Sequence, residues 1–436
     1  MRKADSPAWQ NWAGNQAARP RRVLTPRSAE EVATAVRQAA ADGMAVRMAG
    51  SGHSFTPAAV TDGVLLLPHG MTRVRSVDAA AGLVTVEAGC PLHVLNEVLE
   101  RCGLSLANMG DIQVQTVAGA TQTGTHGTGR DTGSMAAQVA GLELVLADGT
   151  VMSLSAGAPD GMFDAARIGL GALGVVTAVT LRVVPAFLLQ AREAPMRWTE
   201  VMARLDELTT RNEHFEFYWF PHSEGCLTKA NNRAPGPARP LPAWRYRLDD
   251  EFLSNTVFGL TCRLGHAVPA VIPAVSRLAG RALGARSYTD AAYRVFTSPR
   301  RVRFKEQEYA IPRECLADVL REIRALFDRR DWRISFPIEV RVTPGDDVWL
   351  STAYRRDSAY IAMHVFHASA HEEYFRDMEA IMVEVSGRPH WGKMHTRDAE
   401  YLSGVYPRFA DFLAVRDKLD PGRRFGNAYL DRVLGS

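Results

Sequence analysis

The stretch Arg47-Met48-Ala49-Gly50-Ser51-Gly52-His53-Ser54-Phe55 joins the end of an apolar segment to a turn with two glycines and a histidine. Gly50 and Gly52 permit the positive φ or close backbone approach that such a turn requires. Successive N–H groups of the turn then point into one concavity, which suits a phosphate. The stretch lacks the Lys-Ser/Thr pair of a P-loop and the third glycine of a Rossmann fingerprint. It therefore indicates a phosphate-binding loop of neither common type.

A second segment, 118–129, repeats this chemistry with the sequence Ala-Gly-Ala-Thr-Gln-Thr-Gly-Thr-His-Gly-Thr-Gly. Together the two loops predict a large, mostly buried ligand that carries a diphosphate. Each loop alone has a simpler interpretation, because the first histidine could merely bond a backbone carbonyl and the second loop could be flexible surface. A long loop of this composition is uncommon in a compact domain unless it binds a ligand, so the pair favours binding.

The composition is that of an ordinary globular protein with two or three domains, because 436 residues exceed one typical core. The net charge is only +3. Short arginine clusters at 19–22, 300–303 and 329–333 predict solvated surface rather than a nucleic-acid interface. The five cysteines are scattered without a C-x-x-C pair, which argues against a disulfide framework and a cysteine-rich zinc site.

The targeting signals visible in the sequence are few. No apolar core of a signal peptide occurs near the N-terminus. The longest apolar run, 168–181, contains three glycines and is shorter than the ~20 residues of a membrane-spanning helix. These features predict a cytoplasmic protein without a transmembrane segment, and they leave association with a membrane surface open.

Two patterns of secondary structure meet near Pro185. Before it, a capping box at Ser28 and Pro91 each begin a predicted helix, and the predicted strands are 44–49, 64–67, 84–88, 175–184 and a hairpin around Asp148-Gly149. After it, predicted helices at 198–210, 314–327 and 371–385 alternate with strands at 215–220, 336–343 and 360–366. The second pattern is typical of an antiparallel sheet covered by helices.

Glu339 and Arg341 lie on one face of the predicted strand 336–343, while Ile338, Val340 and Val342 lie on the other. A glutamate and an arginine two residues apart can share the hydroxyl groups of a substrate or form an ion pair held ready for it. On the pattern alone, a solvent-facing salt bridge is the simpler interpretation.

Other polar residues follow towards the C-terminus. His364 lies between apolar residues, where a histidine is more often a core group than a catalyst. Lys393, in the run 390–393, is one of only five lysines among 51 basic residues, which suggests a need for a compact point charge. His364, His367 and His371 resemble a metal-binding set, but residues three apart on a strand point to opposite faces, so we expect no metal site.

Six motifs occur in an order that is typical of one enzyme family. They are Gly-Ser-Gly-His-Ser-Phe at 50–55, Gly-Thr-His-Gly-Thr-Gly at 124–129, Leu-Gly-Ala-Leu-Gly-Val-Val at 170–176, Ile-Glu-Val-Arg at 338–341, His-Trp-Gly-Lys at 390–393 and Leu-Asp-Pro-Gly-Arg-Arg-Phe-Gly-Asn at 419–427. With these motifs the sequence resembles the sugar-lactone and alditol oxidoreductases of the vanillyl-alcohol-oxidase superfamily. That group includes D-arabinono-1,4-lactone oxidases and L-gulono-1,4-lactone oxidases and dehydrogenases.

The resemblance implies an α+β fold in three parts. A two-subdomain, PCMH-type FAD-binding domain would occupy residues 1–187. An antiparallel-sheet substrate (cap) domain covered by helices would occupy residues 188–387, and residues 388–436 would pack back onto the FAD-binding domain.

The resemblance also implies the site residues. The first loop matches the family's pyrophosphate loop, and its histidine matches the residue that many members join covalently to the flavin. The implied FAD contacts are Met48, Ala49, Gly50, Ser51, Gly52, His53, Ser54, Asp111, Thr116, Gly119, Thr123, Gly124, Thr125, His126, Val176 and His390. Glu339, Arg341 and Lys393 match the polar groups on the substrate side.

The implied reaction is oxidation of the C2 hydroxyl of an aldono-1,4-lactone, with hydride transfer to flavin N5. Lys393 or Arg341 would stabilise the negative charge near flavin N1. Glu339 would orient the substrate and hold Arg341, while either His364 or Lys393 would take the hydroxyl proton. The partners would be a sugar lactone or a polyol, and oxygen or another electron acceptor.

Asp111 distinguishes this chain from part of the family, because alditol oxidases carry a serine at this position. A carboxylate close to flavin and substrate favours oxidation of a lactone, and oxidation of an alditol or another carbohydrate is the alternative. A flavin-binding module without turnover is less consistent with the sequence, since binding alone requires none of Glu339, Arg341 and Lys393.

Overall fold

The computed structural model describes residues 9–436, so the first eight residues of the predicted FAD-binding domain lie outside it. Near the N-terminus, three parallel strands form a sheet in the spatial order Arg22–Leu24, Val64–Leu66, Val46–Met48. Helix Ala29–Ala41 packs its apolar side against this sheet, and its N-cap Ser28 accepts a hydrogen bond from the N–H of Glu31. Because one strand ends at Met48, the first glycine loop leaves from the carboxyl edge of the sheet.

A second, antiparallel sheet follows and completes the expected pair of subdomains. Its five strands lie in the spatial order Val151–Ser155, Val139–Val145, Val175–Arg182, Leu83–Glu87, Val74–Asp78. The predicted hairpin is confirmed, with Gly149 at a φ of 85° between the first two strands. Helices Leu92–Arg101 and Val117–Gln122 lie beside this sheet, and the second of them carries the start of the second glycine-rich segment.

The largest sheet has eight antiparallel strands. Their spatial order is Arg286–Ala291, Leu188–Arg197, Gly225–Arg233, His214–Trp219, Ile338–Thr343, Ser358–Phe366, Phe304–Pro312, Arg388–Pro389. One face is apolar and shares a core with the helices Trp198–Ala203, Leu205–Arg211, Leu316–Arg329 and Glu372–Glu384. The other face carries polar and charged side chains. This sheet covered by helices confirms the expected fold class.

Several elements differ from the sequence-based prediction. The single helix expected at 198–210 is two helices, because the chain leaves helical geometry at Arg204. Among the strands of six or more residues, four were not predicted: Leu188–Arg197, Gly225–Arg233, Arg286–Ala291 and Phe304–Pro312. Three short helices and a π-helical turn between residues 243 and 282 were missed as well. The missed strands carry buried charged residues, which hide the alternation of apolar and polar positions that marks a strand.

The C-terminal helices Ala399–Val405, Phe409–Leu419 and Ala428–Leu434 contribute side chains to the same apolar core as the five-stranded sheet. This contact is the one expected for residues 388–436, although the exact domain boundaries stay a prediction. Among the described residues, no helix is both long and apolar enough to cross a membrane.

Candidate active site

A cleft that is partly open to solvent lies where the first glycine loop meets the helix that begins at Val117. Eleven of the sixteen predicted FAD contacts line it: Met48, Ala49, Gly50, Ser51, Gly52, His53, Ser54, Thr116, Gly119, Thr123 and Val176. The two motifs that the sequence placed seventy residues apart therefore form one site.

The first loop lines the cleft with its backbone atoms. Within the described part of the chain, the N–H groups of residues 50–54 donate to no protein acceptor. Gly52 adopts a φ of 69°, in the left-handed region that favours glycine. A Cβ on Gly50 would collide with Oγ1 of Thr116. At position 50, therefore, no residue other than glycine would permit the loop to lie this close to Thr116. This backbone cradle fits the diphosphate of a dinucleotide.

Arg47 holds the floor of the cleft together and was not predicted as a site residue. Its buried guanidinium donates hydrogen bonds to the carbonyl oxygens of Ala58, Leu170, Gly171 and Phe425, at 2.6 to 2.9 Å. Burial lowers the pKa of Arg47 to about 10. The residue thus links both halves of the FAD-binding region to the C-terminal segment.

His53 lies half-buried at the edge of the cleft and stacks on Trp12, with 5.1 Å between the ring centroids. Burial and the nearby charge of Lys393 lower its pKa to about 4. The imidazole is therefore neutral at neutral pH, which leaves one ring nitrogen with a free lone pair for nucleophilic attack.

The polar face of the eight-stranded sheet carries a row of alternating charges across five neighbouring strands. The residues are paired in register in the order Arg286, Glu193, Lys229, Glu216, Arg341. Three of the four neighbouring pairs are also ion pairs: Arg286 Nε lies 2.8 Å from Glu193 Oε2, Lys229 Nζ lies 3.3 Å from Glu216 Oε1, and Arg341 Nε lies 3.1 Å from Glu216 Oε2. The row ends at Arg341, in the predicted substrate site.

Glu339 and Arg341 form a buried ion pair, so the solvent-facing salt bridge suggested by the pattern alone is wrong. Oε1 of Glu339 also accepts a hydrogen bond from the Tyr218 hydroxyl at 3.0 Å. Its other oxygen, Oε2, accepts no hydrogen bond within residues 9–436. Burial raises the pKa of Glu339, and the carboxylates of Asp111 and Glu216 add to this against the opposing charge of Arg341.

Asp111 enters the same cluster from the FAD-binding region. Its Oδ2 lies 2.7 Å from Nη2 of Arg300 and 3.5 Å from Nη2 of Arg341. Burial alone would raise the pKa of Asp111, but these two guanidinium groups hold it well below its usual range. Arg300 was not predicted as a site residue, because the sequence shows only a short arginine cluster there.

Lys393 and His364 meet at a second acidic residue, Glu306, on the neighbouring strand Phe304–Pro312. Lys393 forms an ion pair with Glu306 Oε2, and Nε2 of His364 lies 3.5 Å from Glu306 Oε1. Burial would lower the pKa of Lys393, but Glu306 and Glu308 raise it above its ordinary value. Lys393 therefore stays protonated at neutral pH. Glu306 was missed because its strand was missed.

Glu308 lies two residues further along this strand. It contacts His126 and His390, which were both predicted to contact FAD. Nε2 of His126 lies 3.4 Å from Glu308 Oε1, and the ring of His126 stacks on Tyr360 at 3.6 Å. His390 lies beside them, and burial lowers its pKa to about 3. Donor atoms of His126, Glu308 and His390 come within 4.8 Å of one another, the spacing of a possible metal site.

The histidines 364, 367 and 371, in contrast, do not converge. His364 faces Glu306, whereas His371 contacts the preceding residue, Lys305, on the opposite face of the strand.

Five predicted FAD contacts lie outside the cleft. Asp111, His126 and His390 belong to the charged groups described above. Gly124 and Thr125 lie in the second loop, where Thr125 Oγ1 accepts a hydrogen bond from Gln115 at 3.2 Å. The assignment of all sixteen residues to FAD stays a prediction, for the eleven that line the cleft as for these five.

Comparison with known protein families agrees with this geometry. Residues 179–433 match the family model described as D-arabinono-1,4-lactone oxidase, and residues 20–155 match that of an FAD binding domain. The chain belongs to the D-arabinono-1,4-lactone oxidase family. The two matched regions correspond to the polar sheet and to the cleft, and FAD is the cofactor.

Relatives within this family align over almost the whole chain. An L-gulono-1,4-lactone dehydrogenase of Mycobacterium tuberculosis is 44% identical, covering 99% of this chain and 100% of the relative. An L-gulonolactone oxidase of Bos taurus is 34% identical, covering 98% of each chain. An alditol oxidase of a Streptomyces species is 32% identical, covering 98% of this chain and 99% of the relative.

Solved structures share the fold at lower sequence identity. A cholesterol oxidase of Brevibacterium sterolicum superposes with a TM-score of 0.82 at 18% identity, covering 98% of this chain and 96% of that one. A solvent-stable cholesterol oxidase superposes with a TM-score of 0.79 at 20% identity, covering 98% and 97% of the two chains. These likenesses support the architecture and say nothing about the substrate.

Proposed function

We propose that this chain is an FAD-dependent enzyme that oxidises the C2 hydroxyl of an aldono-1,4-lactone. The observation that carries the proposal is the buried Glu339–Arg341 pair, which faces Asp111 of the FAD-binding region. A buried carboxylate with one oxygen that accepts no hydrogen bond among the described residues, next to a fixed cation, is an arrangement that binds a hydroxyl group and accepts its proton. The charged row across the sheet fixes Arg341 in this position.

The residues of the cleft fit FAD. The unpartnered N–H groups of residues 50–54 would hold its diphosphate, and the close approach of Gly50 to Thr116 excludes a bulkier loop. When bound, FAD supplies the acceptor for a hydride from the substrate carbon. The protein has to bind the lactone, orient its C2 carbon and stabilise the charge that develops during the reaction.

We assign the hydroxyl proton to Oε2 of Glu339 rather than to His364 or Lys393. The raised pKa of Glu339 brings this carboxylate closer to the working pH of a general base. Lys393 is kept protonated by Glu306 and Glu308, so it serves as a cation that stabilises developing negative charge. His364 faces Glu306 and holds that carboxylate in place.

Arg341 would hold the substrate oxygen atoms and stabilise the ionised form of Glu339. Asp111 would restrict how the substrate hydroxyls lie, because its partly exposed carboxylate is fixed by Arg300 and Arg341. The ring of a lactone presents its hydroxyls in a fixed arrangement, whereas a flexible alditol loses more conformational entropy when it binds. The site therefore favours lactones over open-chain polyols.

A substrate panel tests this proposal. The purified protein would be assayed with L-gulono-, L-galactono- and D-arabinono-1,4-lactone and with xylitol, using oxygen and an artificial dye as alternative acceptors. We expect kcat/KM to be higher for at least one lactone than for xylitol, and Asp111→Ser to narrow the difference. A wild-type preference for xylitol would replace the lactone assignment with alditol oxidation. The acceptor assay decides between an oxidase and a dehydrogenase.

We propose separately that the protein works in the cytoplasm.

We further propose that FAD is attached covalently through His53. The neutral imidazole at the edge of the cleft would bond to the flavin 8α-carbon as that carbon loses a proton, and the flavin ring would take up the two electrons and pass them to the electron acceptor. Acid precipitation should leave the yellow colour in the pellet of the wild type and release it from His53→Ala. Flavin in the wild-type supernatant would disprove the covalent bond without affecting FAD binding.

A further inference from the structure

Exposed apolar side chains are concentrated in one segment of this protein. Of the eleven large hydrophobic residues that are exposed within residues 9–436, nine lie between positions 244 and 278. They are Trp244, Tyr246, Leu248, Phe252, Leu253, Leu260, Leu264, Val268 and Leu278. Trp244 and Leu278 are the most exposed, at 66% and 69%. An apolar concentration of this kind marks an interaction surface rather than ordinary solvent-facing structure.

The same segment is rich in arginine. Between positions 239 and 281 there are six arginines, no lysine and three acidic residues, which gives a net charge of +3 within 43 residues. The whole chain of 436 residues also carries +3, so this segment is far more basic than the rest. We call residues 239–281 the apolar–arginine surface.

Each acidic residue of this surface forms an ion pair with an arginine of the same chain. Asp249, Asp250 and Glu251 pair with Arg245, Arg286 and Arg301, respectively. The five other arginines of the surface have no carboxylate partner among the described residues: Arg239, Arg247, Arg263, Arg277 and Arg281. All five are exposed, so the positive charge is directed to the outside.

The segment is a folded element whose inner side is fixed. Cys262 is buried and shares an apolar cluster with Phe336 and Phe366, beside the C-terminal end of strand Ser358–Phe366. Gly265 packs so closely on Ile272 that an added Cβ would lie 2.8 Å from Cγ1. The inner side of this segment is therefore already packed against other side chains of the protein. Among the helices of residues 9–436, none is both long and apolar enough to span a bilayer, so any contact that this segment makes with lipid would be at the bilayer surface.

We propose that the apolar–arginine surface docks on an anionic lipid bilayer. Tryptophan, tyrosine and leucine side chains would enter the boundary between headgroups and acyl chains, and the unpaired arginines would bind lipid phosphates. A second copy of this chain is the less favourable occupant, because a symmetric contact would bring the same arginines against one another. This inference is independent of the substrate and of the acceptor.

Vesicle sedimentation of the flavin-loaded protein tests the proposal. Wild-type protein would be mixed with vesicles of phosphatidylcholine alone and with vesicles that also contain phosphatidylglycerol. We expect at least ~10-fold stronger partitioning to the anionic vesicles, with most of the difference lost at high salt. Flavin absorbance and turnover on a soluble substrate measure whether each variant is folded.

Two sets of variants separate the apolar and charged contributions. Trp244→Ser/Leu278→Ser and Arg263→Gln/Arg277→Gln/Arg281→Gln should each reduce binding to anionic vesicles by at least ~10-fold. Val151→Ser and Arg101→Gln are matched controls, because both residues are exposed but lie outside the surface. They should bind as the wild type does, and all variants should retain its turnover.

Two outcomes would overturn the proposal. One is wild-type protein that fails to bind anionic vesicles at low salt, or variants that bind as strongly as the wild type. The other is a dimer, detected by light scattering, that Trp244→Ser/Leu278→Ser dissociates while vesicle binding is absent. That second result would assign the surface to self-association.

Discussion

The cofactor cleft and the polar face of the eight-stranded sheet differ in the atoms that form them, which are mainly backbone atoms in the cleft and side-chain atoms on the sheet. The cleft is made largely of backbone, since Gly50 lets the first loop lie close to Thr116 and the N–H groups of residues 50–54 have no acceptor among the described residues. The polar face is made of charged side chains from strands that are distant in sequence. A change that fills space in the cleft should therefore affect FAD binding, whereas a change of charge on the sheet should affect turnover.

The largest expected effect is on the sheet side. Arg341→Ala should lower kcat by at least ~100-fold, because it removes a fixed cation from the reacting atoms and leaves Glu339 and Glu216 without their shared partner. The flavin content, measured by absorbance, should stay that of the wild type. Loss of flavin in this variant would show that the two regions are not separable in this way.

On the cleft side, Gly50→Ala should weaken FAD binding by about 1–3 kcal/mol, because the new Cβ meets Thr116 Oγ1. Turnover per bound flavin should change little. Gly404→Ala is the control, because no atom lies within 4 Å of a Cβ added there. Flavin content would be measured after purification without added FAD. Equal flavin content in the two variants would contradict a tightly fitted backbone cradle.

A smaller effect concerns the pH dependence of kcat/KM. Burial, Asp111 and Glu216 raise the pKa of Glu339, so the acid limb of the profile should lie above the range of an ordinary glutamate. Asp111→Asn removes a neighbouring negative charge, which favours ionised Glu339 and should move this limb to lower pH. Arg300→Gln removes a positive charge and should move it to higher pH. Shifts of the same sign in both variants would exclude Glu339 as the group that titrates.

The smallest expected effect tests how far the charged row extends. Lys229→Met removes the partner of Glu216 on the side away from Arg341. We expect a few-fold fall in kcat/KM, within the about 0.5–2 kcal/mol typical of residues that act through a contact network. Lys229→Arg should restore activity, because it restores the charge. If Lys229→Met lowers only the thermal stability, Lys229 is a structural residue and the row ends functionally at Glu216.

The sequence alone determined the parts of this site that depend on local geometry. A turn with glycines at 50 and 52 needs no distant residue to be recognised, and the alternation at 338–342 already separated Glu339 and Arg341 from their apolar neighbours. The helix that starts after Ser28 and the Asp148-Gly149 hairpin were predictable for the same reason. Each is specified by residues within one turn or one strand.

Only the tertiary structure decided which charged residues are buried together. Glu216, Glu306 and Glu308 look like surface residues in the sequence, since a charge within a strand normally faces solvent. Their burial depends on strand register and on the contact between the polar face and the FAD-binding region. A charge becomes tolerable there only when opposite charges from other strands meet it, and that pairing is set by the long-range order of the sheet.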